Sequence, residues 1–258
     1  MQISLILFWF FVGGSVGSLT YALSFRLPQS RPWANARSIC EFCQRQLRWF
    51  ELIPFFSFIF QRGRCRYCHK LIGFGYLLAE LIMGLFFVVL IQARGLDGGT
   101  ILGLFLGSTL FLIALIDYRY QIIPDRLLLL VLVVWGGFLG LIYWRFPLQI
   151  DLPWANFATG LGLFIFFGLP WWISKGRWIG FGDAKLGGLL GLVFGFPQAI
   201  WLVYLAIIGA LGFSAGLLLR GRATRKTAIP FGSFLAGSGL ILIIWGPVIN
   251  SFFMRLLL

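Results

Sequence analysis

The chain is a succession of long apolar runs, at residues 3–25, 71–93, 100–116, 127–144, 155–174, 184–197, 200–219 and 229–250. About 20 such residues carry an α-helix across the hydrocarbon of a bilayer. In lipid the backbone must satisfy its own hydrogen bonds, so repeated apolar runs of this length fold as helices. The expected fold is an all-α polytopic membrane protein of about eight transmembrane helices, with a small cytoplasmic module between the first and second. The run at 184–197 is short and rich in glycine, and its limits are the least well fixed by sequence. The first run lacks the positive start and short core of a secretory signal and reads as a retained span.

Composition agrees. Hydrophobic residues make up 60% of the 258 and charged residues 11%, where soluble domains carry roughly a quarter charged. Glycine, at 33 residues, suits helices packed through small side chains, and Gly99, Gly103 and Gly107, or Gly187 and Gly191, recur on one helical face. A net charge of +13 does not call for nucleic acid here, because Lys and Arg accumulate in the cytoplasmic loops of membrane proteins. With the amino terminus outside and the chain alternating, all of the 21 Lys and Arg residues fall on the cytoplasmic side except Arg94, Arg145 and Arg255. The same alternation places Asp117 and Asp183 on the cytoplasmic face.

Residues 26–70 are polar, rich in arginine and carry all four cysteines. Cys40-x-x-Cys43 and Cys65-x-x-Cys68 are 21 residues apart, a spacing that points to one tetrahedral thiolate zinc site. A loop this small has little core, and metal binding supplies folding free energy. Four thiolates leave no open coordination position, so the expected role is structural. Disulfides are the bland alternative, opposed by the cytoplasmic placement. Cys65-x-x-Cys68-His69 also fits a c-type haem attachment motif, but that leaves the first knuckle unexplained. Within the same region Trp49–Phe60 is apolar yet too short to cross, and Glu51 and Pro54 interrupt it; an interfacial or re-entrant segment is expected.

Eight acids exist. Asp97 and Asp151 sit in short loops as turn residues, Glu41 lies in a knuckle, and Asp125 follows Pro124 where a helix N-cap belongs. Glu80 lies inside a span, where an acid is a functional candidate by default. Asp117 closes one apolar run, and Asp183 opens another within Gly180-Phe-Gly182-Asp183-Ala-Lys185. Carboxylates there are costly unless they meet water or a partner. Two close aspartates, one ionised and one protonated, can activate water and protonate a carbonyl oxygen. The single histidine, His69, rules out a His-Glu-x-x-His zinc site and leaves little room for a Ser-His-Asp triad. Carboxylates of an ion pathway and plain salt bridges stay open on these residues alone.

Taken together the motifs resemble the bacterial type IV prepilin peptidases of the Gly-x-Gly-Asp membrane protease group. The similarity runs through Arg26-Leu-Pro28, the paired knuckles, Leu47-Arg-Trp-Phe-Glu51-Leu-Ile-Pro54, Arg62-Gly-Arg-Cys65, Ile116-Asp117, Ile123-Pro124-Asp125 and Gly180 to Lys185. The resemblance implies that Asp117 and Asp183 are the catalytic pair, with Gly180, Gly182, Lys185, Pro124, Asp125, Glu51 and Glu80 as substrate-contacting or supporting residues. It implies cleavage of prepilin or pseudopilin leader peptides after glycine at the cytoplasmic face of the bacterial inner membrane. It further implies N-methylation of the new amino terminus with S-adenosylmethionine, an activity associated with the amino-terminal cytoplasmic module. The division expected is 1–25 as first span, 26–70 as zinc module and 71–258 as peptidase domain. Two motifs depart from the family pattern: Gly17-Ser-Leu-Thr-Tyr-Ala22 lacks an asparagine, and Tyr76-Leu-Leu-Ala-Glu80 lacks a proline. Both adjoin the cysteine module and bear on methyl transfer more than on cleavage. The alternatives are a peptidase without methyltransferase activity, a multi-pass transporter using intramembrane carboxylates, and a scaffold that recruits an assembly protein.

Overall fold

The computed structural model describes residues 3–29, 38–40, 42–145, 154–221 and 229–257, with side chains of the last helix to Ser251. Glu41, Asp151, Arg31, Arg37, Arg222, Arg225 and Lys226, and the side chain of Arg255, lie outside these residues, so the expectations placed on them do too.

The regular structure of the described residues is helical, with no strand beyond two isolated bridges. The helices are α1 (Ile3–Arg26), α2 (Phe56–Phe60), α3 (Phe74–Arg94), α4 (Gly98–Tyr120), α5 (Asp125–Arg145), α6 (Trp154–Ser174), α7 (Phe181–Phe194), α8 (Gln198–Leu219) and α9 (Phe231–Leu257). Seven of them are long and apolar enough to cross a membrane. The eighth expected span is α7, whose 14 residues cover about 21 Å at 1.5 Å per residue, short of a hydrocarbon core of ~30 Å. It begins at Phe181, ahead of the run read from sequence. Asp183 therefore belongs to its first turn.

The chain forms two compact units, Met1–Leu104 and Phe105–Leu258. In the first, α1 and α3 pack along their length. Glycine makes this possible: a Cβ on Gly13 would lie 2.5 Å from the Met83 carbonyl oxygen, and one on Gly17 would strike the Ala79 backbone. The segment after the first knuckle is a 3-10 turn at Trp49–Leu52 followed by α2. Trp49, Ile59 and Phe60 are largely exposed. Phe55 pins this segment down, its ring stacked on Phe10 at 4.7 Å. Its φ of 64° is unusual for a bulky residue. The Glu80 carboxylate receives its N–H at 2.8 Å and holds it there. Glu80 thus ties this segment to α3. At the far end of α3 the exposed turn residue Asp97 caps α4, accepting the Thr100 N–H at 2.6 Å. That bond holds its carboxyl below the ordinary range.

In the second unit α7 packs against α5, α6, α8 and α9. The α6–α7 contact runs on glycine. A Cβ on Gly187 would meet the Phe167 ring at 2.6 Å, and one on Gly191 the Thr159 carbonyl at 2.9 Å. Packing is the reading that holds for this pair, whereas Gly99 has only Asp97 near it. Ala184, Leu186 and Leu190 close the core of α7, each 1% exposed or less.

Candidate active site and metal centre

Asp117 lies in the last turn of α4, one turn inside the helix end rather than beyond it. It is 5% exposed, so its charge needs compensation from the protein. The compensation comes from the first turn of α9. The Ser233 N–H donates to Asp117 Oδ2 at 2.6 Å, and Ser233 Oγ lies 2.9 Å from the same oxygen. Ser233 Oγ is also 3.0 Å from the Ala114 carbonyl, one turn before Asp117. A hydroxyl has one hydrogen, so it either donates to the carboxylate or accepts from a protonated one while donating to Ala114.

Asp183 is the third helical residue of α7, and its Oδ2 reaches back to the Gly180 N–H at 3.3 Å. Gly180 has extended backbone (φ −73°, ψ 146°) and is the N-cap. Gly182 is closely packed on its other side. A Cβ there would lie 3.2 Å from Ile123, which belongs to the short connection between α4 and α5.

The two aspartates meet at Gly232. A Cβ built on Gly232 would lie 3.0 Å from Asp117 Oδ2 and 3.0 Å from Asp183 Oδ1, which bounds the separation of those oxygens at twice that distance. The Gly232 N–H also faces Asp183, and Ile123 would contact the same Cβ at 2.8 Å. The site is therefore built from the end of α4, the connection before α5, and the first turns of α7 and α9. Residues 230–233 carry no charge, so nothing in composition marked them. The available signal was Pro230-Phe-Gly-Ser233 opening the last apolar run, a helix start able to present free N–H groups.

Pro124 precedes α5, and Asp125 is the first residue of that helix rather than its cap. The Asp125 carboxylate, 72% exposed, pairs with Lys185 of α7 at 2.5 Å. This ion pair spans α5 and α7 beside the aspartates and at an exposed position contributes little to stability.

In the first unit the four cysteine sulfurs lie within 4.8 Å of one another, with Cys40 Sγ and Cys68 Sγ 3.8 Å apart. A tetrahedron with 2.3 Å zinc–sulfur bonds has edges of about 3.8 Å, so the sulfurs fit a zinc ion. The two knuckles repeat each other. Cys40 N–H donates to Arg45 O and Cys65 N–H to Lys70 O, while Gln44 and His69 donate back to Cys40 O and Cys65 O. Gln44 and His69 share left-handed backbone, with φ of 57° and 56°. His69 thus has the backbone role of Gln44, and the gathering of all four sulfurs leaves no knuckle over. The Cys68 N–H pulls the Cys65 thiol down to about 7 against the effect of burial. Lys70 N–H pulls on Cys68 too, but burial and the neighbouring sulfurs push it up to about 11. Four sulfurs this close ionise together only around a cation.

Glu51 is 6% exposed; its Oε2 receives the Arg48 N–H at 2.7 Å and its Oε1 has no hydrogen-bond partner.

Residues 11–93 match the bacterial peptidase A24 N-terminal domain, and residues 104–215 match the type IV leader peptidase family. The chain is 32% identical to the prepilin leader peptidase/N-methyltransferase of Bacillus subtilis, over 96% of this chain and 98% of that protein. It is 32% identical to the protein of the same name from Aeromonas salmonicida, over 86% of this chain and 76% of that one. For the Pseudomonas putida protein of that name the figures are 31%, 85% and 76%. No solved structure matches the chain. The α9 residues at the aspartates lie beyond both matched ranges. With relatives about 30% identical over most of this chain and both domains matched in order, the chain belongs to the type IV leader peptidase family.

Proposed function

We propose that the chain is a prepilin leader peptidase and N-methyltransferase in which Asp117 and Asp183 form the proteolytic pair. The observation that carries this reading is Gly232, which stands within contact of both carboxylates. Two acids that close share protons as a pair. The ionised member draws a proton from water, whose oxygen forms the new bond to the scissile carbonyl carbon. The protonated member donates to the carbonyl oxygen. Collapse of that intermediate breaks the C–N bond, and the leaving amine takes a proton. Ser233 supports a charge on Asp117, and Gly232 leaves the space in which the acids approach each other.

The carboxylates sit at the end of α4 and the start of α7, which the crossings of α5 and α6 between them place on one face of the bilayer, and the start of α9 meets them there at Gly232. The distribution of Lys and Arg supports the cytoplasmic side of the inner membrane, where the basic leader of a prepilin or pseudopilin is presented. Residues 1–25 serve as the first span and 26–70 as the zinc module, and the peptidase chemistry within 71–258 belongs to the unit Phe105–Leu258. Zinc held by Cys40, Cys43, Cys65 and Cys68 orders the module. Bound S-adenosylmethionine supplies an electrophilic methyl group for the amine that cleavage frees. That order is obligatory, because no free amine exists at that residue before the cut.

The test is incubation of the purified protein with a prepilin leader–pilin peptide and labelled S-adenosylmethionine. The reading expects cleavage after glycine, label on the new amino terminus and about one zinc per chain. An intact peptide would refute the peptidase, and cleavage without label would refute the second activity.

A further inference from the structure

The first unit holds a cavity of about 310 Å³, set among α1, α3 and the cysteine module. That is within the ~300–1,000 Å³ range of small-molecule sites and too small for a length of peptide. Its wall carries two acids, Glu51 and Glu80, both at least 94% buried. Two buried carboxylates facing one cavity are unusual in a chain with only eight acids and a net charge of +13. Glu80 is accounted for, because it holds the Phe55 N–H. Glu51 is not, since Oε2 serves the Arg48 N–H while Oε1 is buried with no donor. A buried acceptor without a donor is costly unless a ligand completes it. The rest of the wall is mixed. Arg26 and Lys70 bring positive charge, and Phe58 and Tyr76 bring aromatic surface.

A ligand that suits this wall has cationic or N–H donor groups for Glu51, an anionic group for Arg26 or Lys70, and a flat ring system. We infer that this cavity is the binding site for the methyl donor S-adenosylmethionine, with Glu51 as the acceptor for its donor groups. The inference rests on the methyltransferase reading above. S-adenosylmethionine has those groups in one molecule: an ammonium and a sulfonium, a carboxylate, and an adenine ring with its own amine. The cavity lies wholly within the unit that contains the zinc module. Zinc therefore orders one of its walls, Cys40 and Cys65 being part of the lining.

Glu51→Gln separates binding from folding. A glutamine keeps an oxygen for the Arg48 N–H and replaces the orphan acceptor with an NH₂ group. Ala22→Phe, at a residue of α1 that lines the cavity, fills the space without touching any acid. The measurement is equilibrium binding of labelled S-adenosylmethionine to full-length protein in detergent, with melting temperature and metal content as checks on each variant. Ultraviolet cross-linking of the same ligand and peptide mapping form the second readout. The expected result is roughly a tenfold to hundredfold rise in Kd for Glu51→Gln, a comparable loss for Ala22→Phe, and label within residues 15–80. Undiminished binding by a folded Glu51→Gln and a folded Ala22→Phe would overturn the location. So would label confined to residues beyond 104. A wild type that neither binds nor methylates would overturn the methyltransferase reading itself and this inference with it.

Discussion

Gly232 is the atom-scale meeting point of the two acids, and its neighbours define what a side chain there would do. Gly232→Ala pushes a methyl group against Asp117 Oδ2, Asp183 Oδ1 and Ile123 at once. Leader cleavage should fall at least a hundredfold in a protein that still inserts and holds its metal. Gly237→Ala, in the same helix with nothing within 4 Å, should cleave as wild type does. Ser233→Ala keeps the N–H bond and loses only the hydroxyl. A hydrogen bond to a charged group is worth about 1.5–3 kcal/mol, so kcat should drop by roughly tenfold or more with KM little changed, and Ser233→Thr should restore it. A Ser233→Ala enzyme with unaltered kcat would show the hydroxyl to be incidental. The aspartates were legible in the sequence because a charge at the edge of an apolar run has no cheap explanation. Gly232 and Ser233 were not, because a glycine and a serine at a helix start are ordinary and their role comes from α4 and α7. Asp125 was misread for a similar reason: Pro124 marks a helix start correctly, but only the fold brings Lys185 within reach.

At the scale of elements, the cysteine module and α7 were read to different depths. Spacing alone picked out the four cysteines that the structure gathers into one cluster able to hold a metal ion, because metal-ligand geometry is local and rigid. Purified protein should contain about one zinc per chain. Cys43→Ser or Cys68→Ser should lose it and expose residues 40–68 to protease, while His69→Asn should keep it, since that position requires left-handed backbone and not a ligand. A His69→Asn protein without metal would contradict the backbone role. Acid should release zinc as protons compete for the sulfurs, which metal analysis across a pH series would follow. The start of α7 was set a few residues late by hydropathy, because Gly180–Asp183 is polar and reads as a turn. In the structure the Asp183 carboxylate turns back onto the Gly180 N–H as a cap, and the helix starts at Phe181. Gly191→Leu should separate α6 from α7, lowering thermal stability and cleavage together.

For the molecule as a whole, the apolar runs announced the order of the long helices, while the shortness of α7 and the packing within each unit were beyond their reach. The two candidate chemistries occupy different compact units, the cavity with Glu51 and Glu80 in the first and the aspartates in the second. The activities should therefore separate. Asp183→Asn should still methylate a pilin that already has a free amino terminus, since methyl transfer needs a positioned amine and not an acid pair. A wild type that methylates mature pilin beside an Asp183→Asn enzyme that cannot would show one shared site. The central claim is that Asp117 and Asp183 together cut the leader, and its most direct measurement is the cleavage rate of three single variants in purified, zinc-loaded protein. Asp117→Asn and Asp183→Asn should each be without detectable cleavage, whereas Asp125→Asn, which loses only an exposed ion pair, should retain most of the wild-type rate. Measurable turnover by Asp117→Asn or Asp183→Asn, or an Asp125→Asn enzyme as inactive as they are, would contradict the account.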